Sequence, residues 1–134
     1  MEKKFKREIE SLEKISHFVG EFLKSHSLDN ALSFSINLIV EELFTNMVKY
    51  NKESGEDVEI SLSKEGKKLI IRLTDFDVEP FDVTKRGEVN VNRPLTERKA
   101  GGLGIHLVKR MVDQIDYDYS DRKSTITLIK MLEE

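Results

Sequence analysis

The chain has no cysteine and no tryptophan, only two prolines, and no apolar run approaching the ~20 residues of a membrane-spanning helix. Each absence closes a class of function. Without cysteine there is no disulfide framework, no thiolate metal site and no thiol catalysis, which agrees with a reducing compartment. The N-terminus MEKKFKREIE lacks the apolar stretch of a secretory signal, so the expected location is cytoplasmic. No charge excess calls for nucleic acid: 22 Lys and Arg stand against 25 Asp and Glu, a formal net charge of −3. What remains, 134 residues with 38% apolar and 35% charged content, fits a single domain over residues 1–134 with one core.

The charge is unevenly spread. Between Val83 and Ala100, Lys85, Arg86, Arg93, Arg98 and Lys99 outnumber Glu88 and Glu97, and the acidic Asp113, Asp116, Asp118 and Asp121 follow. Helical spacing of Ile9, Leu12, Ile15, Val19, Phe22 and Leu23 predicts a first helix from about Ile9 to Ser25, preceded by a short strand around Phe5. Ser27 or Asp29 can cap a second helix with the core stripe Leu32, Ile36, Ile39, Leu43 and Met47, ending near NKESGED. Val58, Ile60 and Leu62, then Leu69, Ile71 and Leu73, alternate with polar residues around KEG, which predicts an antiparallel hairpin. Residues 76–100 hold both prolines and no periodicity, and read as a long functional loop. A third helix after Gly104 and a closing strand pair, Ile115–Tyr119 and Ser124–Met131, complete the pattern.

Three segments carry chemistry. In AGGLGIHLVKRMVD, three glycines placed directly before a helix let the backbone approach a ligand, with the unpaired N–H groups of the first turn aimed at it. That arrangement suits phosphate, and a tight turn using glycine for positive φ is the other reading. It is neither a Walker A loop, because Ile105 and His106 follow the last glycine, nor GxGxxG. In IVEELFTNMVKY, Glu42, Thr45, Asn46 and Lys49 fall within about 100° of one another on a polar stripe, which is either a solvated helix face or a site. A carboxylate can take a proton from a hydroxyl, an amide oxygen can ligate Mg²⁺, and a lysine can meet phosphate. In LTDFDVEPFD, Asp75 follows a strand and can accept an exocyclic purine amine or simply end the strand. His17 and His106 read as surface or satisfied histidines.

Taken in order, these segments resemble the GHKL ATP-binding superfamily, and within it the small bacterial anti-sigma-factor serine/threonine kinases. EELFTNMVKY is similar to the N box, TDFDVEPFD to the G1 box and AGGLGIHLVKRMVD to the G2 box. The resemblance implies an α+β two-layer sandwich, a mostly antiparallel sheet with helices on one face. It implies a general base at Glu42, an Mg²⁺ ligand at Asn46, and ATP contacts at Thr45, Lys49, Asp75, Gly101, Gly102, Leu103 and Gly104. The basic loop becomes a lid, with Arg98 and Lys99 on phosphate. Implied partners are a sigma factor and an anti-sigma-factor antagonist carrying the acceptor Ser or Thr, with a homodimer as the assembly. Asp77 departs from the family's Asp-x-Gly, and one extra residue precedes Pro80-Phe81-Asp82. A second carboxylate there is expected to weaken nucleotide binding, which keeps open a nucleotide-poor binding module. A stand-alone histidine kinase catalytic module is the third alternative.

Overall fold

The strongest sequence pattern, period-two alternation, becomes the frame of the structure, a computed structural model that describes residues 1–79 and 100–132. Five strands form one sheet: β1 (Glu2–Phe5), β2 (Val58–Glu65), β3 (Lys68–Phe76), β4 (Gln114–Ser120) and β5 (Lys123–Met131), in the order β1-β2-β3-β5-β4. Every neighbouring pair is antiparallel. Register aligns the inward residues in rows across the sheet. Ile60 faces Leu73, which faces Ile126; Leu62 faces Ile71, which faces Leu128. All six are buried, so a slip of one residue would turn the whole set to solvent.

Helices α1 (Ser11–Ser25), α2 (Leu32–Tyr50) and α3 (Ala100–Met111) complete the described elements. The apolar stripe of α1, Ile15, Phe18, Val19, Phe22 and Leu23, is buried, as are Ile36, Ile39, Val40, Leu43, Phe44 and Met47 of α2. These residues and the inner face of the sheet form one cluster, with Phe5 set edge-on to Phe18 at 5.6 Å between ring centroids. The result is the expected α+β two-layer sandwich. It differs from expectation at helix ends. Ile9 lies before α1 and is 46% exposed, because the chain turns at Glu8 and Ile9 and the Ser11 hydroxyl donates to the Lys6 carbonyl at 2.7 Å. Neither Ser27 nor Asp29 caps α2: Ala31 stands at the N-cap with no side-chain cap bond, and the Asp29 carboxylate accepts the Ala31 N–H at 2.9 Å in the turn ahead of the helix.

The third helix departs more. It begins at Ala100, so Gly101, Gly102 and Gly104 lie inside its first two turns rather than ahead of it. Glycine costs roughly 1 kcal/mol per helical position against alanine, which discourages a helix without forbidding one. Val108 is buried and Met111 packs on the core, while the Lys130 ammonium donates to the Met111 carbonyl at the helix end, 3.0 Å away. Residues 80–99, most of the expected long loop, lie outside the described residues.

Two tight hairpins set the sheet. Gly66 supplies the positive φ (59°) of the β2–β3 turn, as KEG implies. The β4–β5 turn instead places Asp121 and Arg122 at φ 51° and 60°, a conformation that the Cβ of most residues resists and that aspartate tolerates better than arginine. Replacing Arg122 by Gly removes that strain and only exposed ion pairs, so the midpoint of urea unfolding is expected to stay in place or rise. A fall in the midpoint would show that the turn depends on the arginine.

Candidate functional site

Helix α2 delivers the first group. Glu42 and Thr45 are half-buried, Lys49 is exposed, and Asn46 is 1% exposed. The four residues therefore do not form a solvated face. Asn46 points inward, and its Nδ2 donates to the Glu42 carbonyl one turn back at 2.7 Å, which fixes the amide. Burial pushes the Glu42 carboxyl above its ordinary value; Lys49 pulls the other way and Glu41 adds to the rise. Glu41 is also raised by burial.

Asp75 lies within β3, paired with Ser124 one residue before the strand ends, rather than after the strand, and it is an interior group. It is 0% exposed. Its Oδ1 accepts from Arg7 Nη2 and its Oδ2 from Asn51 Nδ2, the latter at 2.6 Å. Arg7 is spent in the same place: Nε donates to the Glu56 carbonyl at 3.2 Å, Nη1 to the Met47 carbonyl at 3.3 Å, and Nη2 to Ser54 Oγ at 3.2 Å. Ser54 in turn donates to the Phe76 carbonyl at 2.6 Å and accepts the Glu56 N–H. One guanidinium thus ties the end of α2, the turn after it and the end of β3 to the segment following β1. Arg7, Asn51 and Ser54 carry no motif that singles them out in the sequence.

Asp77 explains its own departure from the family pattern. It sits at φ 55°, the backbone region glycine would occupy, which aspartate tolerates better than most residues. Its carboxylate is engaged by Arg122 Nε at 2.9 Å, while Arg122 Nη1 meets Glu79 at 2.9 Å. These bonds, first to Asp77 and then to Glu79, hold the guanidinium above its usual pKa. The Val78 N–H bonds to the Arg122 carbonyl and the Tyr119 hydroxyl to the Val78 carbonyl, at 3.0 and 2.8 Å. The second negative charge expected to disturb a nucleotide is directed to the β4–β5 turn.

The remaining expected residues divide. Gly101, Gly102, Leu103 and Gly104 lie in α3, which packs against α2. Arg98 and Lys99 lie outside the described residues. His17 and His106 are exposed. Among the described residues no cluster of three or more His, Asp or Glu could cage a metal. The oxygen donors that α2 offers, the Asn46 amide and the Glu42 carboxylate, are hard ligands suited to a Mg²⁺ ion that is carried mainly by phosphate oxygens and water. The base side fits less well, because both Asp75 oxygens are already bonded.

Two stability predictions follow from this geometry. Breaking a buried pair leaves an uncompensated charge, so Arg7→Ala should lower unfolding free energy in urea by about 3–5 kcal/mol. A loss below 1 kcal/mol would place Arg7 in solvent. Glu42 has its pKa raised by folding, so the folded state binds more protons and stability falls as pH rises from the ordinary carboxylate value through the raised one. Glu42→Gln should therefore melt higher than wild type at pH 7, with the gain vanishing below about pH 4. Equal melting temperatures at both pH values would contradict the burial effect.

Comparison with known proteins agrees with this fold. A solved chain from the crystal structure of the SiaB–SiaC complex of Pseudomonas aeruginosa superimposes with a TM-score of 0.67 at 11% identity, over 96% of this chain and 88% of that one. The histidine kinase AdeS of Acinetobacter baumannii aligns with a TM-score of 0.57 at 15% identity, over 100% of this chain and 68% of that one. At these identities the likeness is one of fold. In sequence, the chain is 27% identical to the serine-protein kinase RsbW of Halalkalibacterium halodurans, over 75% of this chain and 68% of the relative. The histidine kinase-like ATPase domain model matches residues 5–130, nearly the whole chain, and the protein belongs to that family.

Proposed function

We propose that the protein is a cytoplasmic regulatory kinase of the anti-sigma-factor type, which binds Mg-ATP, phosphorylates a serine or threonine of an antagonist protein, and sequesters a sigma factor. The observation that carries this reading is the pairing on α2 of a half-buried carboxylate, its pKa raised by burial, with a buried and oriented amide one turn away. Burial raises the Glu42 pKa, and the higher pKa makes its ionised carboxylate the stronger base. Glu42 would take the proton of the acceptor hydroxyl as that oxygen bonds the terminal phosphorus and the bond from that phosphorus to the β,γ-bridging oxygen breaks, ADP leaving with the electron pair. Asn46 is the proposed Mg²⁺ ligand, and the ion, when bound, neutralises charge on the phosphates. Thr45 and Lys49 lie on the same helix for phosphate contact, the start of α3 with Gly101, Gly102, Leu103 and Gly104 is the proposed phosphate-facing segment through the N–H groups of its first turn, and Arg98 and Lys99 are the proposed lid contacts. The likeness to RsbW, named a serine-protein kinase, supports this chemistry. A homodimer is part of the proposal.

A second reading, a nucleotide-poor module that holds partners without catalysis, is favoured by one observation: the Asp75 carboxylate is fully engaged within the protein. The two readings part on a single variant. Glu42→Gln keeps size and hydrogen bonding but cannot accept a proton, so nucleotide binding should persist while phosphotransfer to a serine-bearing antagonist falls roughly 10²–10⁴-fold. Unchanged phosphotransfer would remove Glu42 from catalysis. Wild-type protein that grips a sigma factor yet labels no antagonist would leave the second reading standing.

A further inference from the structure

The family pattern directs an adenine amine to Asp75, and the structure puts protein donors there first. Both carboxylate oxygens accept a bond, from Arg7 and from Asn51, and no part of the residue reaches the surface. The Arg7 side chain is only 7% exposed and bonds in addition to Met47, Ser54 and Glu56. A carboxylate oxygen can accept two bonds, but an amine needs an approach, and Asp75 offers none. To reach it, a nucleotide would have to expel a guanidinium that makes four bonds, in return for one bond from a neutral amine. The exchange is unfavourable, so the amine goes unread.

We infer that Arg7, together with Asn51, is a specificity-determining element of the nucleotide site: it holds the Asp75 carboxylate shut, and the site takes purine nucleoside triphosphates through phosphate and metal without selecting the adenine amine. The inference rests on the proposed nucleotide binding. It also gives Arg7 a double role, since the same bonds join the segment after β1 to α2 and β3.

The test compares Mg-ATP with Mg-ITP, which carries a keto oxygen in place of the amine, by titration calorimetry on the full chain. Wild type should bind the two within about threefold. In Arg7→Ala the carboxylate opens, and ATP should gain at least tenfold over ITP, the worth of one charge-assisted hydrogen bond. Should Arg7→Ala fail to fold, Asn51→Ala frees Oδ2 while keeping the ion pair, and the same gain is expected there. A wild-type preference for ATP of tenfold or more overturns the inference and leaves the kinase reading intact. A ratio still within threefold in a folded Arg7→Ala or Asn51→Ala protein also overturns it. Binding of neither nucleotide to wild type or to any variant overturns the nucleotide-binding reading, and the inference with it.

Discussion

A carboxylate cut off from water must be neutralised where it stands, and Arg7 does this for Asp75 across 68 residues of sequence. The pair is more than a local contact. Through the same guanidinium the Met47 carbonyl, the Ser54 hydroxyl and the Glu56 carbonyl converge on the end of β3. The position of α2 relative to the sheet at this end is thereby set by one cation. Such an arrangement is costly to assemble and costlier to break, because each partner removed strands the other in a low-dielectric interior.

This constraint places the chemistry. With its C-terminal end pinned, α2 buries Leu43, Phe44 and Met47 against the core and presents Glu42, Thr45 and Lys49 along its flank. Asn46 lies between the two environments, buried but polar, and satisfies one donor on the Glu42 carbonyl. On the other side of β3, the left-handed Asp77 is drawn to Arg122, so the residue that departs from the family pattern keeps a glycine-like backbone and spends its charge on the neighbouring hairpin. Two arginines, one buried and one exposed, thus govern two aspartates two residues apart.

Much of the fold was readable because it rests on local periodicity. Alternation at Val58–Leu62 and Leu69–Leu73, and the KEG turn, lead directly to β2 and β3, and the stripes of α1 and α2 lead to their buried faces. The helix ends were less readable. Ile9 fits the α1 period but lies in the turn before it, and the glycines of α3 read as a segment ahead of the helix although the helix already runs through them. The site divides the same way: Glu42 and Asn46 were identified by their spacing on one helix, whereas Arg7 is one of four cationic side chains in MEKKFKRE and only long-range packing distinguishes it. The orientation of Asp77 was hidden for the same reason, since its partner Arg122 is 45 residues away.

The central claim is that Asp75 is held by the protein itself, with or without nucleotide. Solvent exchange of the Asn51 side-chain amide protons, followed by nitrogen-edited NMR before and after saturation with Mg-ATP, tests it most directly. The account predicts exchange much slower than for an exposed asparagine, and chemical shifts that stay in place when nucleotide is added. Exchange at the rate of a solvated amide, or displacement of these signals by ATP, would contradict it.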